Sequence, residues 1–148
     1  MEYGLQSASN KTLKRINRGH GVDDFVKAVE LTKEYGFKVC AHVIFGLPGE
    51  TYREMEGTVE FLSGQRIDGV KFHQCYVVKG TPLHELYASG LYRPIEQEEY
   101  ARMVAKAIKA LKGVVVQRLT GDPAPGELVA PSWSTQKQKT ISLIKSML

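Results

Sequence analysis

Gln6, Arg18, His42, Lys71 and His73 are the side chains of this chain best suited to holding or transforming a small molecule. An amide such as Gln6 both donates and accepts hydrogen bonds, and the guanidinium fork of Arg18 matches a carboxylate or phosphate. In their neutral forms, His42 and His73 can each hydrogen-bond a hydroxyl. With His20 they make three imidazoles, a set that binds zinc elsewhere, but they come from separate segments without metal-ligand spacing. Lys71 reads either as a reactive amine or as the partner of a carboxylate such as Glu2. Ser7 and Glu50 sit just beyond strand ends, and Gly46 and Gly49 lack side chains that would keep a flat ligand off the backbone.

The elements that must carry these groups follow from pattern. His42-Val-Ile-Phe-Gly-Leu-Pro-Gly-Glu50 runs an apolar strand into a tight turn, with Pro48 and Gly49 at the central positions of a type II turn. Thr51 and Glu54 form a capping box that starts the next helix. Strands are expected over Glu2–Ser7, Phe37–Gly46, Ile67–Val78 and Val114–Thr120. Helices are expected over Asn10–Asn17, from an Asp23 cap to Tyr35, and over Tyr52–Leu62, Pro82–Ser89, Glu96–Leu111 and Thr135–Met147, with Asp122–Ser134 a loop. This alternation implies parallel strands joined by right-handed crossovers.

Parity assigns the faces. Tyr3 and Leu5 oppose Glu2, Gly4 and Gln6; Phe37, Val39, Ala41, Val43 and Phe45 oppose Lys38, Cys40, His42, Ile44 and Gly46; Val70 and Phe72 oppose Lys71, His73 and Cys75. Each strand has one apolar face and one dotted with polar groups. A sheet covered by helices on both sides reads apolar on both faces. The pattern fits an α/β partial barrel of three to four parallel strands with outer helices, whose inner face gathers Gln6, His42, Lys71 and His73. So few strands leave open edges that invite pairing, a homodimer included. Residues 1–122 read as barrel and residues 123–148 as a loop and helix packed on it.

The chain has 148 residues, 43% hydrophobic and 24% charged, the composition of one globular domain. No apolar run is long enough to span a bilayer and no signal peptide opens the chain, which points to the cytoplasm and away from membranes. Two cysteines, Cys40 and Cys75, are too few for a disulfide scaffold, a zinc ribbon or a cluster-binding triplet. A net charge of +4, concentrated at Lys11–Arg18 and Gln136–Lys145, admits a nucleic-acid partner such as tRNA without requiring one. Met1 leads directly into a core strand, as in a partial barrel.

In order along the chain, Gly4-Leu-Gln-Ser7, Asn17-Arg18-Gly-His20, Ile44-Phe-Gly-Leu-Pro-Gly-Glu50, Lys71-Phe-His73, Val78-Lys-Gly-Thr81 and Arg118-Leu-Thr-Gly-Asp122 resemble the second half of the radical S-adenosylmethionine (radical SAM) barrel. The likeness is to its YhcC-like branch, akin to the elongator-type tRNA-modifying enzymes. It implies strands four to six of a six-stranded partial barrel, with the missing N-terminal half as partner. It implies that Gln6, Ser7 and Arg18 contact the methionine part of S-adenosylmethionine, that His42 faces the ribose, and that the Ile44–Gly46 backbone faces adenine. Lys71 and His73 would border the substrate. Relatives place an acidic or amide residue where His42 stands. The family's Cys-x3-Cys-x2-Cys loop, which holds the [4Fe–4S] cluster, has no counterpart here. The whole enzyme would cleave S-adenosylmethionine reductively to a 5′-deoxyadenosyl radical, and this portion alone would be inactive. The residues also admit an aldolase-like or phosphate-binding barrel fragment with Lys71 as its amine, or an RNA-binding module built on the basic C-terminal helix.

Overall fold

A computed structural model describes residues 1–148. In chain order the elements are β1 (Glu2–Gln6), α1 (Asn10–Arg15), α2 (Val22–Glu34), β2 (Cys40–Phe45), α3 (Tyr52–Ser63), β3 (Gly69–Gln74), β4 (Val77–Val78), α4 (Pro82–Ala88), α5 (Gln97–Ala110), β5 (Val115–Arg118), β6 (Leu128–Ala130), a 3-10 turn (Ser132–Thr135) and α6 (Lys137–Ser146). Four strands form one parallel sheet in the order β1-β2-β3-β5. This is the α/β arrangement that the alternation of strand and helix implies.

Only one face of the sheet is covered by helices. Ala41, Val43, Phe45, Val70 and Phe72 are fully buried and share a core with Phe25 and Val29 of α2, Met55, Val59 and Leu62 of α3, and Tyr100, Met103, Val104 and Ala107 of α5. On the other face His42, Ile44, Lys71 and His73 are only half-buried and lie outside that core. Period-2 alternation therefore separates packing from chemistry.

Local chemistry sets the element ends. The Thr51 hydroxyl accepts the Glu54 N–H at 3.2 Å while the Glu54 carboxylate accepts the Thr51 N–H at 2.7 Å, closing the capping box of α3. Gly49 has φ +68, as the turn before it requires. Asp23 does not cap α2. Gly21 holds the cap position, its N–H donating to the Asp24 carboxylate at 2.8 Å, and Asn10 accepts the Val22 N–H at 3.0 Å. Phe37 is not a core strand residue and is 59% exposed. The N–H groups of Gly36 and Phe37 donate to Lys33 and Thr32 carbonyls in a Schellman ending of α2, which delays β2 to Cys40.

Two further expectations change. The stretch Ile67–Val78 is two strands: β3 ends at Gln74, and β4 leaves the sheet to pair antiparallel with β6. The segment Asp122–Ser134 thus contains β6 and the 3-10 turn, elements too short to show a period. The C-terminal region shares the main core: the Trp133 indole N–H donates to the Ile95 carbonyl at 3.0 Å, its ring lies 5.5 Å from Tyr100, and Ile144 is fully buried.

Candidate functional site

Register places the polar face in two rows. Gly4 pairs with His42, His42 with Lys71, and Lys71 with Arg118. One step toward the strand ends, Ile44 pairs with His73, while a bulge between Gly4 and Gln6 sets Gln6 against Val43. Gln6 has φ +65, a left-handed conformation that few non-glycine residues adopt and that tends to mark functional sites. Gln6, His42, Ile44 and His73 line one hollow of about 290 Å³, with Gln74, Cys75 and Tyr76 completing it.

Glu2 organises the lower row. Its carboxylate accepts from Lys71 Nζ at 2.6 Å and from His42 Nε2 at 2.8 Å. These two hydrogen bonds hold the Glu2 carboxyl below the usual carboxylate range. The contact with Glu2 ties the Lys71 side chain of β3 to β1. The His42 and His73 rings stack with centroids 5.7 Å apart and planes 17° apart. Burial, then the charges of Arg118, His42 and Lys71, push the His73 imidazole down to about 4, so it is neutral near pH 7. His73 Nε2 is buried without a hydrogen-bond partner.

Arg18 reaches the same face over the edge of β1. Its Nη2 donates to the Gly4 carbonyl at 3.1 Å. A Cβ at Gly4 would stand 2.5 Å from Gln6 Nε2 and 2.6 Å from Arg18 Nη2, so both side chains occupy the space glycine leaves. Gln6 Oε1 and Arg18 Nε are both buried and unpartnered. One is an acceptor and the other a donor, the two kinds of group that a zwitterionic amino acid calls for.

The other sequence candidates lie elsewhere. Ser7 is fully buried and donates to the Glu50 carboxylate at 2.5 Å, tying the end of β1 to the turn after β2. Burial raises Glu50 to about 7 against the lowering effect of Ser7. The side of Gly46 that would carry a Cβ meets Ile95, and its carbonyl accepts from the Tyr92 hydroxyl at 2.7 Å. Arg15 fills the corresponding space at Gly49. Packing occupies the open sides of both glycines, leaving Ile44 as the residue of that stretch that lines the hollow. His20 does not join His42 and His73; it borders two cavities that Arg18 also lines, one of them with Glu2 and Gly4. Cys40 and Cys75 are buried thiols raised by burial, Cys75 to about 11. No group of three or more His, Cys, Asp or Glu side chains comes together to hold a metal.

Gly4 and Gln74 carry more of the site than the sequence reading assigns them. A glycine inside a strand is itself a signal for close approach. Gln74 accepts from the Thr120 hydroxyl at 2.8 Å and the Gly121 N–H at 2.7 Å, fastening the loop after β5 to the rim of the hollow. Its only signal is polarity at an apolar parity position.

Residues 67–148 match the radical SAM C-terminal domain and residues 1–62 the radical SAM superfamily. An uncharacterized protein of Methanocaldococcus jannaschii is 39% identical over the whole chain, which covers 47% of that protein. YhcC of Escherichia coli K12 is 36% identical over 90% of the chain and 43% of its own length. The chain thus spans just under half the length of each relative. In structure, the archaeal Elp3 of Methanocaldococcus infernus with its N-terminus deleted superposes with a TM-score of 0.81 over 99% of this chain and 36% of that one, at 28% identity. Fold, motifs and family matches agree, and the chain belongs to the radical SAM superfamily.

Proposed function

We propose that this chain supplies part of the S-adenosylmethionine pocket of a radical SAM enzyme. The observation that carries the reading is that the two side chains crowding Gly4 each keep a buried polar atom without a partner: Arg18 Nε would donate to the methionine carboxylate, and Gln6 Oε1 would accept from its ammonium. The end of β2 at Ile44 would face adenine, and His42 the ribose. When bound and reduced by an iron–sulfur cluster, S-adenosylmethionine supplies hydrogen-abstraction chemistry. The residues here do not fit such a cluster. Its two cysteines are buried on separate segments, so the cluster ligands would come from outside these 148 residues. The chain orients and shields the cofactor and by itself performs no reductive cleavage. His73, neutral and unpartnered, borders the substrate side. Lys71 Nζ is engaged by the Glu2 carboxylate, which gives an aldolase-like role for that amine no support.

The test compares S-adenosylmethionine with its methyl ester, which lacks the carboxylate charge. The wild-type chain should prefer the free acid by roughly tenfold, the scale of a charge-assisted hydrogen bond. Arg18→Ala should bind both alike. Equal binding of acid and ester by the wild type would remove the Arg18 contact.

A further inference from the structure

The polar face contains an arrangement that cofactor contact alone does not explain. Glu2 lies on β1, two residues before Gly4, and its carboxylate is half exposed, yet both oxygens are engaged by different strands: Lys71 of β3 at 2.6 Å and His42 of β2 at 2.8 Å. A carboxylate accepts only, so the nitrogen facing it must carry the proton. That nitrogen is Nε2. In a neutral imidazole the other nitrogen, Nδ1, is then a bare acceptor. Nδ1 has no partner in the protein, and the ring that bears it lines the hollow. Stacking on His73 limits tilting of the ring, and Lys71 limits the swing of Glu2.

We propose that Glu2, anchored by Lys71, is a positioning residue that holds His42 as its Nε2–H tautomer and presents Nδ1 to the hollow as the acceptor for a ribose hydroxyl. This rests on the reading of the hollow as a nucleoside site. A carboxylate–imidazole pair of this type fixes ring tautomer and orientation in metal sites and serves the same end here without a metal.

Two measurements on the 148-residue chain test it. The first is long-range proton–nitrogen correlation NMR of the imidazoles at a pH well above the ordinary histidine value of about 6.5, where each neutral ring holds one proton. His42 should be the Nε2–H tautomer in the wild type and in Lys71→Met, which keeps the carboxylate. Glu2→Gln offers an amide donor in its place, and the Nδ1–H tautomer should then dominate. The second measurement compares adenosine with 2′,3′-dideoxyadenosine. The wild type should prefer adenosine by roughly fivefold, the scale of one neutral hydrogen bond, and Glu2→Gln and His42→Ala should both lose the preference.

Finding Nδ1–H in the wild type, or an unchanged tautomer in Glu2→Gln, overturns the role of Glu2, even where the ribose hydroxyls still count toward affinity. The stated tautomer together with equal or absent binding of the two nucleosides overturns the nucleoside reading and, with it, the ligand assigned to His42.

Discussion

Glu50 and His73 show how burial sets the protonation of single side chains near the site. Glu50 titrates at about 7 in the fold against an ordinary 4.5, so between these values the folded state holds a proton that the unfolded chain has released. Its contribution to stability is whole below pH 4.5 and is lost as pH rises toward 7. His73 runs oppositely. At about 4 against 6.5, the folded state lacks a proton that the unfolded chain binds, and stability falls as pH drops through that window. Between pH 4.5 and 6.5 the two contributions oppose each other. Glu50→Gln removes one of them, so its stability should rise with pH across that interval more steeply than that of the wild type. Denaturant titrations at both ends check this; parallel pH profiles would contradict it. Neither burial is legible in sequence. The parity of His73 shows which face it occupies, but the loop held by Gln74 that helps enclose it comes from residues about 47 positions away.

At the scale of elements, the strand-and-helix alternation was readable because its causes are local: period-2 apolar positions, the Thr51–Glu54 box and the glycine at the end of α2. The elements that escaped are held by tertiary partners. β4 and β6 exist because they pair with each other, and the 3-10 turn because Trp133 packs on Tyr100 and bonds Ile95. This places a testable load on one side chain outside the sheet. Trp133→Ala should cost about 3–5 kcal/mol, the range for removing a buried aromatic, and loosen the C-terminal helix from the core. Thr51→Ala, which removes only a cap, should cost about 1 kcal/mol. Chemical denaturation of both variants separates the two, and a Trp133→Ala cost no larger than that of Thr51→Ala would contradict the shared core.

For the whole molecule, one covered face and one open face make the account coherent. The helices bury Phe45 and Phe72, and the opposite side is left with Glu2, Gln6, His42, Lys71 and His73 in two rows. Alternation alone reveals this division. It leaves unseen that the open sides of Gly46 and Gly49 are filled by Ile95 and Arg15, because those contacts come from segments far apart in sequence. No helix is long and apolar enough to cross a membrane. The most direct test of the central claim is a titration of the isotope-labelled chain with S-adenosylmethionine, followed by amide and side-chain NMR. Shifts should centre on Gly4, Gln6, Arg18, His42 and Ile44, with Lys112 and Lys145 unmoved, and Gln6→Ala should bind more weakly. Shifts elsewhere, or none on the open face at millimolar ligand, would contradict it.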